Sequence, residues 1–205
     1  MNRAEWEDRH RATLESQQES NPLTAMPLLV SQMQRVPPGR ALDLACGVGR
    51  NTIWLAERGW HVTAVDRSET AIASVRSAAE GRALPVDAFV ADLETGEFQI
   101  TPGAWDLIVI CNYLQRDLFE PAKRGLALEG RLIASALLAT ADTDAGTLQS
   151  GVAAVGDLGG QRFRVQPGEL RAYFHDCEIL EYEEDPPRPA TPSHRSARIS
   201  VRRKS

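Results

Sequence analysis

Three aspartates lie inside or at the ends of apolar, strand-like segments in the first half of the sequence. Asp43 lies within "ALDLA", Asp66 ends "HVTAVD" and Asp92 ends "VDAFVAD". Burying a carboxylate is costly unless it meets a cation or a hydrogen-bond donor. The three acids therefore indicate a site for a ligand that presents such groups.

A glycine-rich turn, "ACGVGRN", follows the first of these acids. A nicotinamide-dinucleotide turn has the pattern G-x-G-x-x-G, but here Thr52 takes the place of the third glycine. Dinucleotide enzymes also usually have an apolar residue at the position of Asp43. An ammonium group would be a partner for Asp43, and a carboxylate would suit the amides of Gly47 and Gly49 and the start of the following helix. The methionine end of S-adenosylmethionine carries this pair of groups.

The other two acids suit the rest of such a ligand. Asp66 follows Asp43 at about the 20-residue spacing at which an acid reaches a ribose diol. Asp92 is placed to accept a hydrogen bond from an adenine amino group, with the Leu93 amide facing a ring nitrogen. Because the carboxyl ends of parallel strands meet at one edge of a sheet, we expect these groups to lie together at the ligand site.

Strand-like and helix-like segments alternate over this half of the chain, which predicts a parallel, doubly wound α/β sheet. After residue 140 the sequence predicts a glycine-rich loop, a helix, and two strands joined by a proline-rich arm, the last strand lying at a charged sheet edge. The predicted strands span 40–45, 61–66, 86–92, 105–112, 131–139, 178–185 and 197–203, and the predicted helices span 50–58, 68–81, 119–128 and 166–176. The loop is 140–160 and the arm is 186–196.

Composition favours one domain over residues 1–205. The chain has 205 residues and a formal net charge of −5, which argues against a general nucleic-acid binder. Its first residues are charged and lack the apolar core of a signal peptide, no apolar run is long enough to span a membrane, and three scattered cysteines suggest a reducing compartment. We therefore expect a cytoplasmic protein with no membrane partner. We expect a helical lid (1–37), a cofactor-binding half (38–139) and a substrate-side part (140–205).

"LDLACGVGRNTIWLAERGWHVTAVD", "ADL" and "WDLIVICN" resemble the first four motifs of class I S-adenosylmethionine-dependent methyltransferases. The ending "CGxGRN" and the layout of the C-terminal part are similar to the tellurite-resistance and thiopurine-type branch, and the likeness covers about 38–203. The resemblance implies a Rossmann-like, mostly parallel seven-stranded sheet with an antiparallel C-terminal strand and helices on both faces. It also implies S-adenosyl-L-methionine as the cofactor.

The resemblance assigns residues to parts of this cofactor. Asp43, Gly47 and Gly49 would line its methionine end, Asp66 and Arg67 its ribose, Asp92 and Leu93 its adenine, and Cys111 and Asn112 its sulfonium, while Ala45, Cys46 and Arg50 belong to the same turn. For Arg50, binding the cofactor carboxylate and covering the sheet are equally weighted alternatives. The branch often has a His-Arg pair facing the substrate, which corresponds to His194 and Arg195. For Asp106, which also matches the family, we expect a structural role at the start of a strand.

The predicted reaction is methyl transfer to a small molecule, such as a chalcogen oxyanion (tellurite or selenite) or a thiol. A non-catalytic S-adenosylmethionine-binding regulatory module is the alternative, and a nicotinamide oxidoreductase is disfavoured. "CNYLQ" lacks the motif of amino-methylating nucleic-acid enzymes, and no Cys/His spacing suits zinc. The sequence leaves open the acceptor, the oligomeric state and the roles of Trp6 and His10.

Overall fold

The computed structural model describes residues 3–20, 24–139, 163–186 and 195–204. The helices are α1 (Arg3–Ser20), α2 (Pro27–Met33), α3 (Arg50–Ala56), α4 (Glu69–Glu80), α5 (Phe119–Gly125) and α6 (Glu169–Tyr173). The strands are β1 (Arg40–Leu44), β2 (His61–Asp66), β3 (Val86–Val90), β4 (Trp105–Cys111), β5 (Leu126–Leu138), β6 (Arg164–Val165), β7 (Glu178–Glu184) and β8 (Ser196–Arg202). The predicted 140–160 loop, most of the 186–196 arm and His194 lie outside the described residues.

The strands form one mixed sheet in the order β3-β2-β1-β4-β5-β8-β7, with the short β6 pairing with β5. Strands β1 to β5 pair in parallel, and β8 runs antiparallel to both of its neighbours. The predicted mostly parallel sheet with an antiparallel C-terminal strand is therefore confirmed. The carboxyl ends of β1, β2 and β4 lie at one edge of this sheet, and that edge carries the candidate site.

The prediction that the last strand forms an edge is wrong, because β8 lies between β5 and β7. Its alternate residues Ala197, Ile199 and Val201 are fully buried. Its arginines face acidic partners on and just after β7: Arg202 pairs with Glu178 and Arg198 with Asp185. The basic residues that suggested a solvated edge are thus matched by the acidic strand beside them.

The central strand β4 is buried on both faces, as its continuous apolar sequence predicts. Ile108 and Ile110 pack into one hydrophobic cluster, and Leu107 and Val109 pack into the cluster on the opposite face. All four side chains are inaccessible to solvent. The sheet is therefore covered on both faces at this strand.

Helix α4 begins as the sequence predicts. The Ser68 side chain accepts a hydrogen bond from the Ala71 amide at 3.1 Å, which is an N-cap. Ile72, Val75 and Ala79 face the core. Helix α6 is shorter than predicted and follows Gly168, whose φ of +79° takes the left-handed conformation that glycine allows.

Asp106 has the structural role expected for it. Its carboxylate accepts a hydrogen bond from the Arg40 amide at 2.8 Å, at the amino ends of β1 and β4. This contact lies at the sheet edge opposite to the glycine turn. Within the described ranges, no helix is both long enough and apolar enough to cross a membrane.

Candidate functional site

Asp66 joins the glycine turn to the start of α4. One of its carboxylate oxygens accepts a hydrogen bond from the Gly47 amide at 2.9 Å, and the other accepts one from the Ser68 amide at 2.9 Å. The side chain is only 6% exposed. Asp66 thus positions two loops at the carboxyl edge, a role that its spacing from Asp43 did not reveal.

The two glycines shape the turn sterically. The Gly47 amide donates to Asp66, and the Gly49 amide donates to the Cys46 carbonyl at 3.2 Å. Both amides therefore have acceptors within the protein. Both glycines have positive φ, and a Cβ on Gly49 would lie 2.7 Å from Cγ2 of Val75. They are required because a side chain would strain the turn or collide with α4.

The same turn contains two further residues of the predicted set. Ala45 is held at a φ of +54°, which is unusual for a residue with a side chain. The Cys46 amide donates to the Val65 carbonyl at 3.1 Å, which continues the β1–β2 pairing into the turn. Burial, with the negative charges of Asp43 and Asp66, raises the pKa of the Cys46 thiol well above its ordinary value. Cys46 therefore contributes a neutral, buried side chain.

Asp43 is the deeply buried carboxyl that the sequence predicts. It is 1% exposed, and the Thr52 hydroxyl donates to it at 2.6 Å. Burial raises its pKa to about 7, although the Thr52 hydrogen bond and the positive charge of Arg50 act in the opposite direction. A cation seated beside this carboxyl would favour its ionised form. The residue thus has the chemistry required to hold an ammonium group.

The carboxyl end of β3 carries Asp92 and Leu93. Asp92 pairs with Arg67 at 3.0 Å and accepts a hydrogen bond from the Glu94 amide at 3.0 Å. A carboxylate has about four acceptor positions, so these contacts leave capacity for a ligand amino group. Nε of Arg67 is buried and has no hydrogen-bond partner among the described residues.

Cys111 and Asn112 end β4 at the same edge. Sγ of Cys111 lies 3.0 Å from Sδ of Met26, and burial raises the pKa of this thiol to about 12. A thiol with so high a pKa is not a nucleophile at neutral pH. Asn112 takes a φ of +55°, its amide donates to the Ser135 hydroxyl, and that hydroxyl donates to its side-chain oxygen. The Asn112 side chain is thereby fixed and lies exposed at the edge.

Arg195 also lies at the carboxyl edge of the sheet. Its carbonyl accepts a hydrogen bond from the Leu138 amide, at the end of β5. Its Nε and Nη2 donate to the Asp185 carbonyl at 2.9 and 2.8 Å. The guanidinium is thus anchored at the base of the arm, and its predicted partner His194 is outside the described residues.

Helix α1 covers the glycine turn. Glu7 binds the start of α4 through Ser68, Glu69 and Thr70, and His10 lies over Gly47. The sequence left the role of His10 open because α1 has no apolar face that would show where it docks. The feature of the sequence that could have indicated the docking of α1 is Glu7 in "EWEDRH", because an acidic side chain suits the N-terminus of another helix.

A cavity of about 310 Å³ lies beside the β3 end of the site. The Gln115 side chain, which lines this cavity, donates a hydrogen bond to the carbonyl of Leu93, the residue after Asp92. Its lining residues are Glu94, Leu114, Gln115, Arg116, Asp117 and Phe163. Across the part of the chain that the structure describes, no group of three or more His, Cys, Asp or Glu side chains is arranged to hold a metal ion.

Comparison with known proteins finds one matching family model and several similar proteins. A family model described as a methyltransferase domain matches residues 41–130. Hemagglutinin 1 of Eikenella corrodens is 31% identical over 74% of this chain and 48% of its own length. The probable S-adenosyl-L-methionine-dependent methyltransferase TehB of Haemophilus influenzae is 26% identical over 77% of this chain and 52% of its own length. The chain thus spans about half the length of the curated relatives that it matches.

Solved structures share the fold. The crystal structure of TehB from Haemophilus influenzae matches with a TM-score of 0.71 and 23% identity. The match covers 92% of the present chain and 65% of the TehB chain. The Burkholderia thailandensis 1,6-didemethyltoxoflavin-N1-methyltransferase covers 99% of this chain, and the match covers 87% of that chain, with a TM-score of 0.66 and 16% identity. Residues 41–130 thus match a methyltransferase domain, S-adenosylmethionine-dependent methyltransferases of the TehB type are among the relatives of the chain, and the solved structures show that it shares their fold.

Proposed function

We propose that this chain transfers a methyl group from S-adenosyl-L-methionine to a small-molecule acceptor. The observation that carries the proposal is the buried Asp43 carboxyl beside a glycine turn, at the edge where Asp66 and Asp92 also lie. The methyltransferase-domain match and the cofactor named in the TehB relatives support the same cofactor here.

Each end of the cofactor has a corresponding group. Asp43 holds the ammonium, with Arg50 beside it for the carboxylate, and Asp66 binds the ribose hydroxyls. Asp92, oriented by Arg67 and the Glu94 amide, accepts the adenine amino group. The reactive sulfonium would then lie towards Cys111 and Asn112 at the end of β4.

The acceptor side of the proposal follows from what the site residues can do. When bound, the cofactor supplies an activated methyl group, so the protein mainly aligns the acceptor and excludes water. Cys111 stays protonated because burial raises its pKa to about 12, so it does not compete for the methyl group. A soft nucleophile such as a thiolate or a chalcogen oxyanion needs little base catalysis. Arg195 at the base of the arm, with His194, would hold such an anion.

The Burkholderia thailandensis methyltransferase structure contains bound 1,6-didemethyltoxoflavin and S-adenosylhomocysteine. This likeness supports a small acceptor for the present chain. The net charge of −5 also favours a small acceptor over a nucleic acid.

Calorimetry with S-adenosylhomocysteine tests the cofactor, and mass spectrometry of tellurite, selenite and small thiols tests the acceptor by the gain of a methyl group. We expect binding that Asp66→Ala weakens and that Asp87→Ala, a change at an exposed acid in β3, leaves unchanged. No binding by the unchanged chain would refute the proposal. Binding without transfer to any acceptor would favour the regulatory module instead.

A further inference from the structure

Glu7 fastens α1 to the N-terminus of α4. One carboxylate oxygen accepts from the Glu69 amide at 2.7 Å, and the other accepts from the Ser68 hydroxyl at 2.9 Å and the Thr70 amide at 3.2 Å. Partial burial of the carboxyl acts in the opposite direction, but these hydrogen bonds lower the pKa of Glu7 to about 2. The carboxylate also suits the positive end of the α4 dipole. α1 is therefore held at one defined place.

That attachment places His10 over the glycine turn. Residues three apart share a helix face, so His10 lies on the side of α1 that Glu7 docks. Nε2 of His10 is 3.6 Å from the position that a Cβ on Gly47 would take. A ligand seated on the turn would therefore meet this nitrogen.

His10 is buried, and one of its two ring nitrogens finds no polar partner among the described residues. The residue is 9% exposed, and Nδ1 is buried without a hydrogen-bond partner among the described residues. The Trp6 ring packs on its imidazole with centroids 5.6 Å apart. An unpartnered buried N–H is costlier than an unpartnered lone pair, so the tautomer that leaves Nδ1 without a hydrogen is favoured, and it carries its N–H on Nε2, the nitrogen that faces the turn.

We propose that His10 is a ligand-contacting residue, whose Nε2–H donates a hydrogen bond to an oxygen of the molecule bound on the glycine turn. On the proposed function, on which this inference rests, that oxygen belongs to the ribose or the carboxylate of the cofactor. A lid that only covered the turn would be better served by an apolar side chain, because a buried polar atom without a partner destabilises the chain.

Calorimetry with S-adenosylhomocysteine tests this contact in three variants of the full chain. His10→Ala should weaken binding by about three- to tenfold, the loss of one hydrogen bond. His10→Gln should retain most of the affinity, because its amide nitrogen can take the place of Nε2. Arg11→Ala, at an exposed residue that pairs only with Asp8 among its described contacts, is the matched control and should bind as the unchanged chain does.

A spectroscopic readout separates ligand contact from a role in folding. The chain has four histidines, so the His10 Cε1–Hε1 resonance is assigned by its absence in His10→Gln. This resonance should move when S-adenosylhomocysteine is added to the unchanged chain. Normal binding by His10→Ala, or a His10 resonance that does not move at saturation, would overturn the inference while leaving the proposed function intact. Absence of binding by the unchanged chain would refute the proposed function itself.

Discussion

Replacing Asp43 by Asn should stabilise the protein while removing the proposed partner of the cofactor ammonium. In the folded chain Asp43 holds its proton up to about pH 7, whereas its ordinary pKa is 3.8. Between these values the folded state binds more protons than the unfolded state, so the free energy of unfolding falls as the pH rises. Asn cannot ionise and still accepts the Thr52 hydrogen bond, so the variant escapes this loss.

The magnitude follows from the two pKa values. One pKa unit corresponds to about 1.4 kcal/mol, so the difference between 3.8 and about 7 destabilises the ionised protein by about 4 kcal/mol above pH 7. Between pH 5 and pH 8, about 2–3 kcal/mol of this difference develops. For a chain of this size that corresponds to about 5–10 °C in Tm.

Thermal unfolding at several pH values between 5 and 8 measures the effect. The quantity to compare is the difference in Tm between Asp43→Asn and the unchanged chain, because other titrating groups contribute equally to both. This difference should widen as the pH rises. Thr52→Val should have the opposite effect on stability. Removing the hydroxyl takes away a hydrogen bond that favours the Asp43 carboxylate, so the Tm of this variant should fall most steeply above pH 7.

A Tm difference that stays constant from pH 5 to 8 would refute this reasoning, because it would mean that Asp43 has an ordinary pKa despite its burial. A variant less stable than the unchanged chain at pH 8 would refute it as well. In either case the carboxylate would already be compensated within the protein, and the argument that it requires a ligand cation would lose its basis.

Three further predictions concern the site. Asp66→Ala should weaken S-adenosylhomocysteine binding and lower the free energy of unfolding by about 1–3 kcal/mol, because the Gly47 and Ser68 amides lose their acceptor; calorimetry and denaturant titration measure both, and an unchanged affinity would remove Asp66 from the site. The affinity for S-adenosylhomocysteine should rise between pH 6 and 7.5 as Asp43 ionises and should stay flat in Asp43→Asn; a parallel rise in both proteins would assign the titration elsewhere. Glu7→Gln should make α1 more susceptible to limited proteolysis. In the unchanged chain the same susceptibility should increase as the pH falls from about 4.5 towards 2, because the Glu7 carboxylate becomes protonated in this range. A cleavage rate unaffected by either change would show that other contacts hold α1.

The alternation of apolar strands and capped helices was sufficient to predict the parallel half of the sheet. β2 was predicted at its observed bounds. The Ser68 cap was identified because a short hydroxyl side chain just before an amphipathic segment is typical of a helix N-cap. The three acids were identified for a similar reason, since each lies inside or at the end of an apolar strand pattern. Local sequence determines these features, so a single sequence reveals them.

Features that depend on distant segments were not predicted. β5 begins at Leu126, and along it the Trp105 carbonyl approaches Gly130 so closely that a Cβ there would lie 2.8 Å from that oxygen. The place of β8 depends on the acidic strand β7 beside it. The amides of Gly47 and Gly49 have internal acceptors that no local pattern shows, and the docking of α1 rests on Glu7 and a helix terminus far along the chain.

The insertion of β8 between β5 and β7 has a consequence for synthesis of the chain. β7 pairs with β8 and with no other described strand, although β7 leaves the ribosome first. Until Ser196–Arg202 emerges, β7 has no neighbour and the long strand β5 presents an open edge on that side, which is a template for unwanted pairing between chains. The nascent protein therefore completes this part of its sheet only after β8 has emerged, and loss of β8 through a premature stop codon would leave an aggregation-prone fragment.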